Sequence, residues 1–215
     1  FRRTAPFRMF DGQVLPSLGV AGWLAGIGEQ PVAARMEPRV LTVAGRRIPL
    51  DRDGRMIVKF RGPSGTHEAY SAAAVIQSEL RLLEGGEPPI RDGGVFREAH
   101  VVFGFSAPGL KDLRTTPMGG DYPGPEIYAT VLDNLLAGDF LRDAPRAAVW
   151  LWVLVLALAA GAAAASARSG WHSAAAAGIL IPLPALAGLA AWQVDIVMPV
   201  AGASAGVVAG LLGGA

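Results

Sequence analysis

Cysteine is absent from the 215-residue sequence, and lysine occurs only at Lys59 and Lys111. Without cysteine the chain has neither a disulfide framework nor a thiolate metal site, and three scattered histidines do not indicate another metal centre. Basic and acidic residues almost cancel, which gives a formal net charge of +1. Because a nucleic-acid-binding protein needs a basic face, we expect no nucleic-acid partner. No glycine-rich phosphate loop follows a strand pattern, so we also expect no cofactor.

Charge is nearly missing from the last third of the chain. Beyond Arg146 the only formally charged residues are Arg168 and Asp195. Three uncharged runs are separated by these two charges, at 147–167, 169–194 and 196–215. Each is long enough to supply the roughly 20 helical residues that cross a bilayer, and a charge at mid-membrane is costly, so both charges fit connections between helices. We therefore expect a globular domain over 1–146 and a transmembrane region over 147–215. Its helices are predicted near 147–167, 174–193 and 196–214.

Glycine recurs at every fourth position of the last predicted helix, at Gly202, Gly206 and Gly210. Small residues at this spacing let two helix backbones approach closely in lipid. The stripe favours pairing of two chains, and we expect a homodimer. A span that is merely rich in glycine and alanine would give the same pattern. Pro182 and Pro184 are expected to kink the middle helix.

Helix and strand patterns alternate in the first 146 residues. Ser17 precedes an apolar helix from Leu18 to Ile27, and Ser71 to Glu84 is typical of an amphipathic helix. Strand patterns lie between these helices at Val40–Val43, Arg47–Leu50 and Met56–Phe60, with turns at Ala44-Gly45 and Asp53-Gly54. The apolar face of the second helix consists of Ala72, Val75, Ile76, Leu80 and Leu83.

A strand, a loop and a helix are predicted next, in that order. His100–Phe105 is short, apolar and β-branched, which is typical of a central strand covered on both faces. The loop over 106–124 is longer than most structureless connections, which indicates a binding segment or disorder. Pro125 opens a helix that ends at Gly138. This order predicts an α/β layer arrangement, in which ligands gather at the carboxyl ends of the strands.

The stretch from Val101 to Leu141 carries several motifs, in the sequence VVFGFSAPGLKDLRTTPMGGDYPGPEIYATVLDNLLAGDFL. It resembles the C-terminal half of the CHASE2 sensor family. The matching pieces are a strand ending in glycine, a KD…TP segment and a PG.EI.A…DNLL helix, at Val101–Gly104, Lys111, Asp112, Thr116, Pro117, Pro123, Gly124, Glu126, Ile127, Ala129 and Asp133–Leu136. Tyr128 stands where histidine is frequent in the family. Blocks at Gly12–Ala21 and Ile48–Pro63 are similar to upstream parts of the same domain.

The resemblance implies the architecture of a receptor. CHASE2 domains lie outside the bacterial cytoplasmic membrane, after one transmembrane helix and before two or three more, which lead to a cytoplasmic nucleotide cyclase, such as an adenylate cyclase, or to a protein kinase. We therefore expect an α/β extracytoplasmic sensor domain over 1–146, followed by an all-α transmembrane region of about three helices. The chain is expected to be multi-pass and not itself an enzyme. The start of the domain, the first helix and the output domain are expected outside it.

The loop over 106–124, together with the first turn of the helix that follows it, is the expected stimulus site. It combines basic and polar side chains with a helix N-terminus, whose free N–H groups favour anions. An unknown extracytoplasmic ligand would be held by Lys111, Asp112, Arg114, Thr115, Thr116 and Glu126. In the structural alternative, Lys111 and Asp112 pair on the surface and Thr116 caps a turn before Pro117.

Two other classes of function are disfavoured by the sequence. Ser106 follows a strand pattern and is a candidate nucleophile of a membrane-anchored extracytoplasmic hydrolase, but Pro108 stands where the nucleophile elbow needs glycine. His67, His100 and Asp112 are the candidates for the rest of such a triad. A transporter component is expected to carry ionisable residues at mid-membrane, and the predicted helices have none there.

Overall fold

The computed structural model describes residues 1–28, 34–105, 112–167 and 169–213. The chain divides into two compact units, Phe1–Phe140 and Leu141–Ala215. The second unit therefore begins before the boundary placed at 146 by the charge pattern. The difference arises because the segment after Leu141 pairs with a strand near 196, inside the second unit.

The first unit is a mixture of short strands and helices. Its strands are β1 (Arg3–Thr4), β2 (Phe7–Phe10), β3 (Gln13–Pro16), β4 (Arg35–Glu37), β5 (Val40–Val43), β6 (Arg46–Pro49), β7 (Met56–Ile57), β8 (Leu113–Thr116) and β9 (Gly119–Pro123). Its helices are α1 (Leu18–Gly26), α2 (Ala72–Leu83) and α3 (Gly124–Ala137), with a 3-10 helix at Gly93–Phe96. The described ladders are antiparallel: β1–β7, β2–β3, β4–β5–β6 and β8–β9. The unit is thus a mixed α/β fold built from small sheets.

The core of this unit joins α1 and α3 to the three-stranded sheet. Trp23 of α1, Ile48 of β6 and Leu135 of α3 are buried in one cluster. Gly19 lies where the two helices touch, since a Cβ there would come within 2.7 Å of Val131 Cγ1. Only glycine permits this approach. α3, which carries the DNLL motif, is therefore a central support of the unit.

Several local predictions are confirmed. α1 and α3 lie where their patterns place them, and β5 and β6 form the expected hairpin. Ala44 and Gly45 both have positive φ, 46° and 73°, as a tight two-residue hairpin turn requires. Gly138 ends α3 in the left-handed conformation. These signals are local, so they do not depend on the rest of the fold.

The prediction of a central strand at His100–Phe105 is wrong. The segment belongs to no strand ladder of the described residues, and Val101 and Phe103 are 70% and 76% exposed. Val102 instead lines a groove of about 170 Å³ between α1 and α3. A short apolar run indicates that one face is buried, but it cannot show whether the partner is a strand or a helix.

The amphipathic helix α2 is present, but its apolar face is not buried. The Ser71 hydroxyl caps the helix by accepting a backbone N–H at 3.1 Å. Within α2 only Ser78 is buried, and its hydroxyl accepts the Ile90 amide at 3.0 Å. Periodicity specifies an apolar face but not the partner that covers it. The exposed members of the predicted face are Ala72, Val75, Ile76, Leu80 and Leu83.

The second unit is mainly helical. Its elements are β10 (Arg142–Asp143), α4 (Arg146–Ser166), α5 (Gly170–Leu180), α6 (Leu183–Trp192), β11 (Ile196–Val197) and α7 (Val200–Gly213). The break between α5 and α6 confirms the kink expected at the prolines. α4 and the α5–α6 stretch are long and apolar enough to cross a membrane, whereas α7 has 14 residues.

The prediction of an all-α region with a helix from 196 is wrong at that helix's start. Ile196 and Val197 form β11, which pairs in parallel with β10. α7 begins only at Val200, directly after Pro199. Proline is favoured at the start of a helix because its missing N–H is not needed there.

Candidate stimulus site

The predicted loop over 106–124 is in part a β-hairpin. Ser106 and Lys111 lie outside the described residues. From Leu113 onward the chain forms β8, which pairs antiparallel with β9. Because β9 leads directly into α3, the hairpin fixes the position of the first turn of that helix.

Asp112 lies against the first residue of α3. The Gly124 N–H donates to the Asp112 carbonyl at 2.8 Å, and a Cβ on Gly124 would overlap the Asp112 carboxylate. Glycine therefore leaves room for this carboxylate, which lies at a helix N-terminus, where a negative charge is stabilised. Arg114 Nη2 approaches Asp112 Oδ1 at 3.7 Å, but this pair is exposed and contributes little to stability.

Glu126 joins the first turn of α3 to a distant loop. Its Oε2 accepts the Ser64 hydroxyl at 2.9 Å, and its Oε1 accepts the Gly65 N–H at 2.8 Å. Both carboxylate oxygens are thus engaged within the protein. The side chain holds the 64–65 loop in place.

The two threonines of the candidate site have different surroundings. Thr116 is buried, and its hydroxyl accepts the Met118 N–H at 3.2 Å and donates to the Gly119 carbonyl at 3.3 Å. These are the contacts of a turn cap, as in the structural alternative. Thr115 is exposed. The hairpin therefore presents Thr115 to solvent beside Arg114, which is also exposed.

A buried polar cluster lies behind this turn, and no motif in the sequence predicted it. The Thr130 hydroxyl is fully buried and donates to the Glu126 carbonyl at 2.9 Å, while His67 Nε2 lies 3.0 Å from it. The His67 tautomer with its proton on Nε2 fits this contact as a donor to the Thr130 oxygen. The buried Tyr122 hydroxyl has no hydrogen-bond partner among the described residues. Burial raises the pKa of Tyr122; the nearby Thr130 hydroxyl opposes this shift, and the Glu126 carboxylate adds to it.

The DNLL motif holds the chain that follows β7. Asn134 is fully buried; its side-chain amide donates to the Lys59 carbonyl at 3.0 Å, and its Oδ1 accepts the Lys59 N–H at 2.9 Å. These are the two backbone hydrogen bonds that a neighbouring β-strand would otherwise make to Lys59. Asp133 pairs with Arg61, and Asp139 accepts both Lys59 Nζ at 2.6 Å and Arg61 Nη1 at 2.5 Å.

These ion pairs shift two pKa values. Burial by itself would raise the pKa of Asp139, but the hydrogen bonds from Lys59 and Arg61 outweigh it and lower the pKa. Burial also opposes the charged form of Arg61, yet Asp133 and Asp139 raise the pKa of its guanidinium. Both shifts favour the charged forms, so the cluster is ionised at neutral pH.

One sequence signal marks these residues. Glu126, Thr130 and Asn134 are polar residues at spacing four in α3. That spacing places them on one helix face, and all three make contacts within the unit. A polar stripe at this spacing therefore indicates hydrogen bonds within the fold.

The described residues do not assemble the hydrolase triad. Ser106 is outside them, His67 bonds to Thr130, His100 lies against α1, and Asp112 faces the start of α3. Within the described ranges no group of three His, Asp or Glu residues is arranged to hold a metal ion. The candidate site is therefore a hairpin and a helix end whose contacts position the backbone.

Comparison with known proteins confirms the family resemblance. The family model of the CHASE2 domain matches residues 1–164. No curated protein and no solved structure matches the chain. CHASE2 domains are extracellular sensor domains of signalling receptors and are not catalytic. Because the match covers the whole first unit, most of α4 and well over half of the sequence, this chain belongs to the CHASE2 domain family.

Proposed function

We propose that this chain is the sensing and membrane-spanning part of a transmembrane receptor. The observation that carries the proposal is the extent of the family match, which continues from the sensor unit into α4. α4 is long and apolar enough to cross a bilayer. A sensor domain followed directly by such a helix can pass an external stimulus across a membrane. The receiving domain would be a cytoplasmic nucleotide cyclase or protein kinase.

The proposed topology places the first unit outside the bacterial cytoplasmic membrane and α4, α5–α6 and α7 across it. Arg168 would then lie on the cytoplasmic side and Asp195 outside, as the positive-inside tendency favours. Fusions to a reporter enzyme that is active only when exported test this. We expect activity after Asp143 and after Asp195, and none after Arg168. Activity of the Arg168 fusion would overturn the topology and, with it, the receptor.

We place the stimulus at the β8–β9 hairpin and the first turn of α3. The Asp112 carbonyl, the Thr116 hydroxyl and the Glu126 carboxylate already have hydrogen-bond partners within the protein. Direct contact with a ligand therefore falls to the exposed residues of the hairpin, Arg114 and Thr115, together with Lys111. The basic side chains and the helix N-terminus favour an anionic ligand.

A screen of small anions for thermal stabilisation of the purified chain tests this site. Stabilisation by a binding anion should be lost in Arg114→Ala. Arg55→Ala is the matched control, because Arg55 is 53% exposed against 57% for Arg114 and forms an equally loose ion pair, at 3.8 Å. An anion that stabilises Arg114→Ala as well as the native chain would remove the hairpin from consideration.

We also propose that two chains pair through the glycine stripe of α7. A dimer suits the proposed outputs, since cyclases and kinases commonly act as dimers. Gly206 and Gly210 contact α4 of their own chain, whereas a Cβ added to Gly202 would meet no described atom within 4 Å. The open part of the stripe is therefore at Gly202, near the start of the helix.

A further inference from the structure

A parallel strand pair joins the starts of two helices in the second unit. β10 and β11, together called the β-clip, align Arg142 with Ile196. Two backbone hydrogen bonds join the strands: the Arg142 N–H donates to the Asp195 carbonyl at 2.9 Å, and the Ala144 N–H donates to the Val197 carbonyl at 3.0 Å. α4 begins four residues after the start of β10, and α7 begins four residues after the start of β11. The β-clip therefore sets the two helix N-termini side by side.

Close packing continues along the two helices. A Cβ on Gly206 would come within 3.2 Å of Val153 Cγ1, and a Cβ on Gly210 would overlap the Ala157 carbonyl oxygen. Backbone cannot move aside as a flexible side chain can, so the approach at Gly210 requires glycine. The buried residues of this contact come from both helices and are Leu156, Ala160, Ala203 and Val207.

The contacts advance in the same direction along the two helices. Gly206 lies nearest Val153, and Gly210, four residues further along α7, lies nearest Ala157, four residues further along α4. α4 and α7 therefore run in parallel, in the same sense as the paired strands of the β-clip. The β-clip and the helix contact thus belong to one continuous interface.

We infer that the β-clip, α4 and α7 form one coupling unit, in which the segment leaving the sensor is joined to the last helix as well as to the first. The inference rests on the proposed receptor function. Asp139 is held in the sensor unit by two ion pairs, and only Phe140 and Leu141 separate it from Arg142. Three Cα–Cα steps span about 11 Å at most, so the connection is short. A movement of β10 would pass through the β-clip to α7 without passing through α5 and α6.

Disulfide crosslinking in membranes tests the β-clip, because the chain has no cysteine to give a background. The full chain carries Arg142→Cys and Ile196→Cys, with a protease site inserted at Ser169, and is oxidised before solubilisation and cleavage. The two fragments should stay joined until they are reduced. The control pair, Arg142→Cys with Ser173→Cys, should not join, since α4 places these positions about 30 Å apart. Fragments that separate without reduction, or that are joined only between two chains, would overturn the inference.

A second pair, Val153→Cys with Gly206→Cys, tests the helix contact. Adding Gly210→Leu should remove most of this crosslink, whereas Gly202→Leu, the same change at a position without described neighbours, should leave it intact. If Gly210→Leu prevents insertion, Gly210→Ala makes the smallest change that still overlaps Ala157. An unchanged yield in either Gly210 variant would refute the coupling unit.

Neither crosslink depends on the receptor function. If the crosslinks form but the reporter fusions fail, the proposed function is wrong and the coupling unit remains. If the fusions succeed but the crosslinks do not form, the receptor remains and the coupling unit is wrong.

Discussion

Asn134→Ala is expected to destabilise the sensor unit strongly, because one side chain satisfies two backbone groups. The Asn134 amide bonds both the carbonyl and the N–H of Lys59, at 3.0 and 2.9 Å, and is itself fully buried. Leaving a buried donor or acceptor without a partner costs about 1–3 kcal/mol, so the two groups together cost about 2–6 kcal/mol. The Lys59 groups are only partly buried, which favours the lower end, about 2–3 kcal/mol. Domains are stable by about 5–15 kcal/mol, so the loss is a large share.

Urea unfolding of the full chain in detergent, followed by brief proteolysis of unfolded molecules, measures this loss. With a urea dependence of about 2 kcal/mol per molar, the midpoint of the sensor unit should fall by about 1–1.5 M. Gln77→Ala is the control, because Gln77 is an exposed amide on α2 and its removal should change stability by less than about 0.5 kcal/mol. Equal midpoints for the two variants would refute the account of Asn134 as a substitute strand.

Unfolding in acid, glycine substitutions and crosslinking in membranes test three further contacts. The pKa of Asp139 is lowered in the fold, so its ion pairs stabilise the first unit above about pH 4. This contribution is lost as the pH falls through the lowered pKa. In the Asp139→Asn variant, the urea midpoint should therefore decline less steeply below about pH 4 than in the native chain. Gly124→Ala should lower the urea midpoint by overlapping Asp112, whereas Gly119→Ala, with no described atom near its Cβ, should not; equal midpoints would contradict that contact. If the open part of the glycine stripe pairs two chains, Gly202→Ile should reduce crosslinking between chains in membranes, and equal yields would show that the stripe does not hold the dimer.

Local signals predicted local structure well. Ser71 caps α2 and Gly138 ends α3, because capping and left-handed turns depend only on neighbouring residues. Long-range partners were not predictable in the same way. Phe103 lies in an apolar run that resembles a central strand, but the run forms no ladder among the described residues and Phe103 is exposed. Strand pairing depends on which other segments the fold places beside the run, and hydrophobic periodicity does not contain that information.

The sequence predicts the position of the candidate site residues, but not the residues that they contact. Asp112 and Glu126 do lie at the first turn of α3, as their places in the motif suggest. Their partners cannot be read from spacing, because Gly124 is twelve residues from Asp112 and Ser64 is more than sixty from Glu126. The buried contact of His67 with Thr130 is not predictable for the same reason.

The glycine stripe shows a further limit of sequence patterns. The spacing of Gly202, Gly206 and Gly210 predicts a contact between chains, yet Gly206 and Gly210 lie against α4 of the same chain. Small residues permit close approach of any helix in lipid, so the pattern does not distinguish a partner in the same chain from one in a second copy.

The motif residues that hold the fold together differ from the residues that are exposed to a ligand. Asp112, Glu126 and Asn134 each bind the protein's own backbone or side chains, so their role is to hold α3 in place. A ligand that competed for Glu126 would have to break its bonds to Ser64 and Gly65 and would thereby release α3 from the 64–65 loop. A ligand bound by Arg114 would act instead through Asp112, whose carboxylate lies 3.7 Å from the Arg114 guanidinium and against the first residue of α3. Since α3 ends two residues before Asp139, both modes would act on the helix that leads to the second unit.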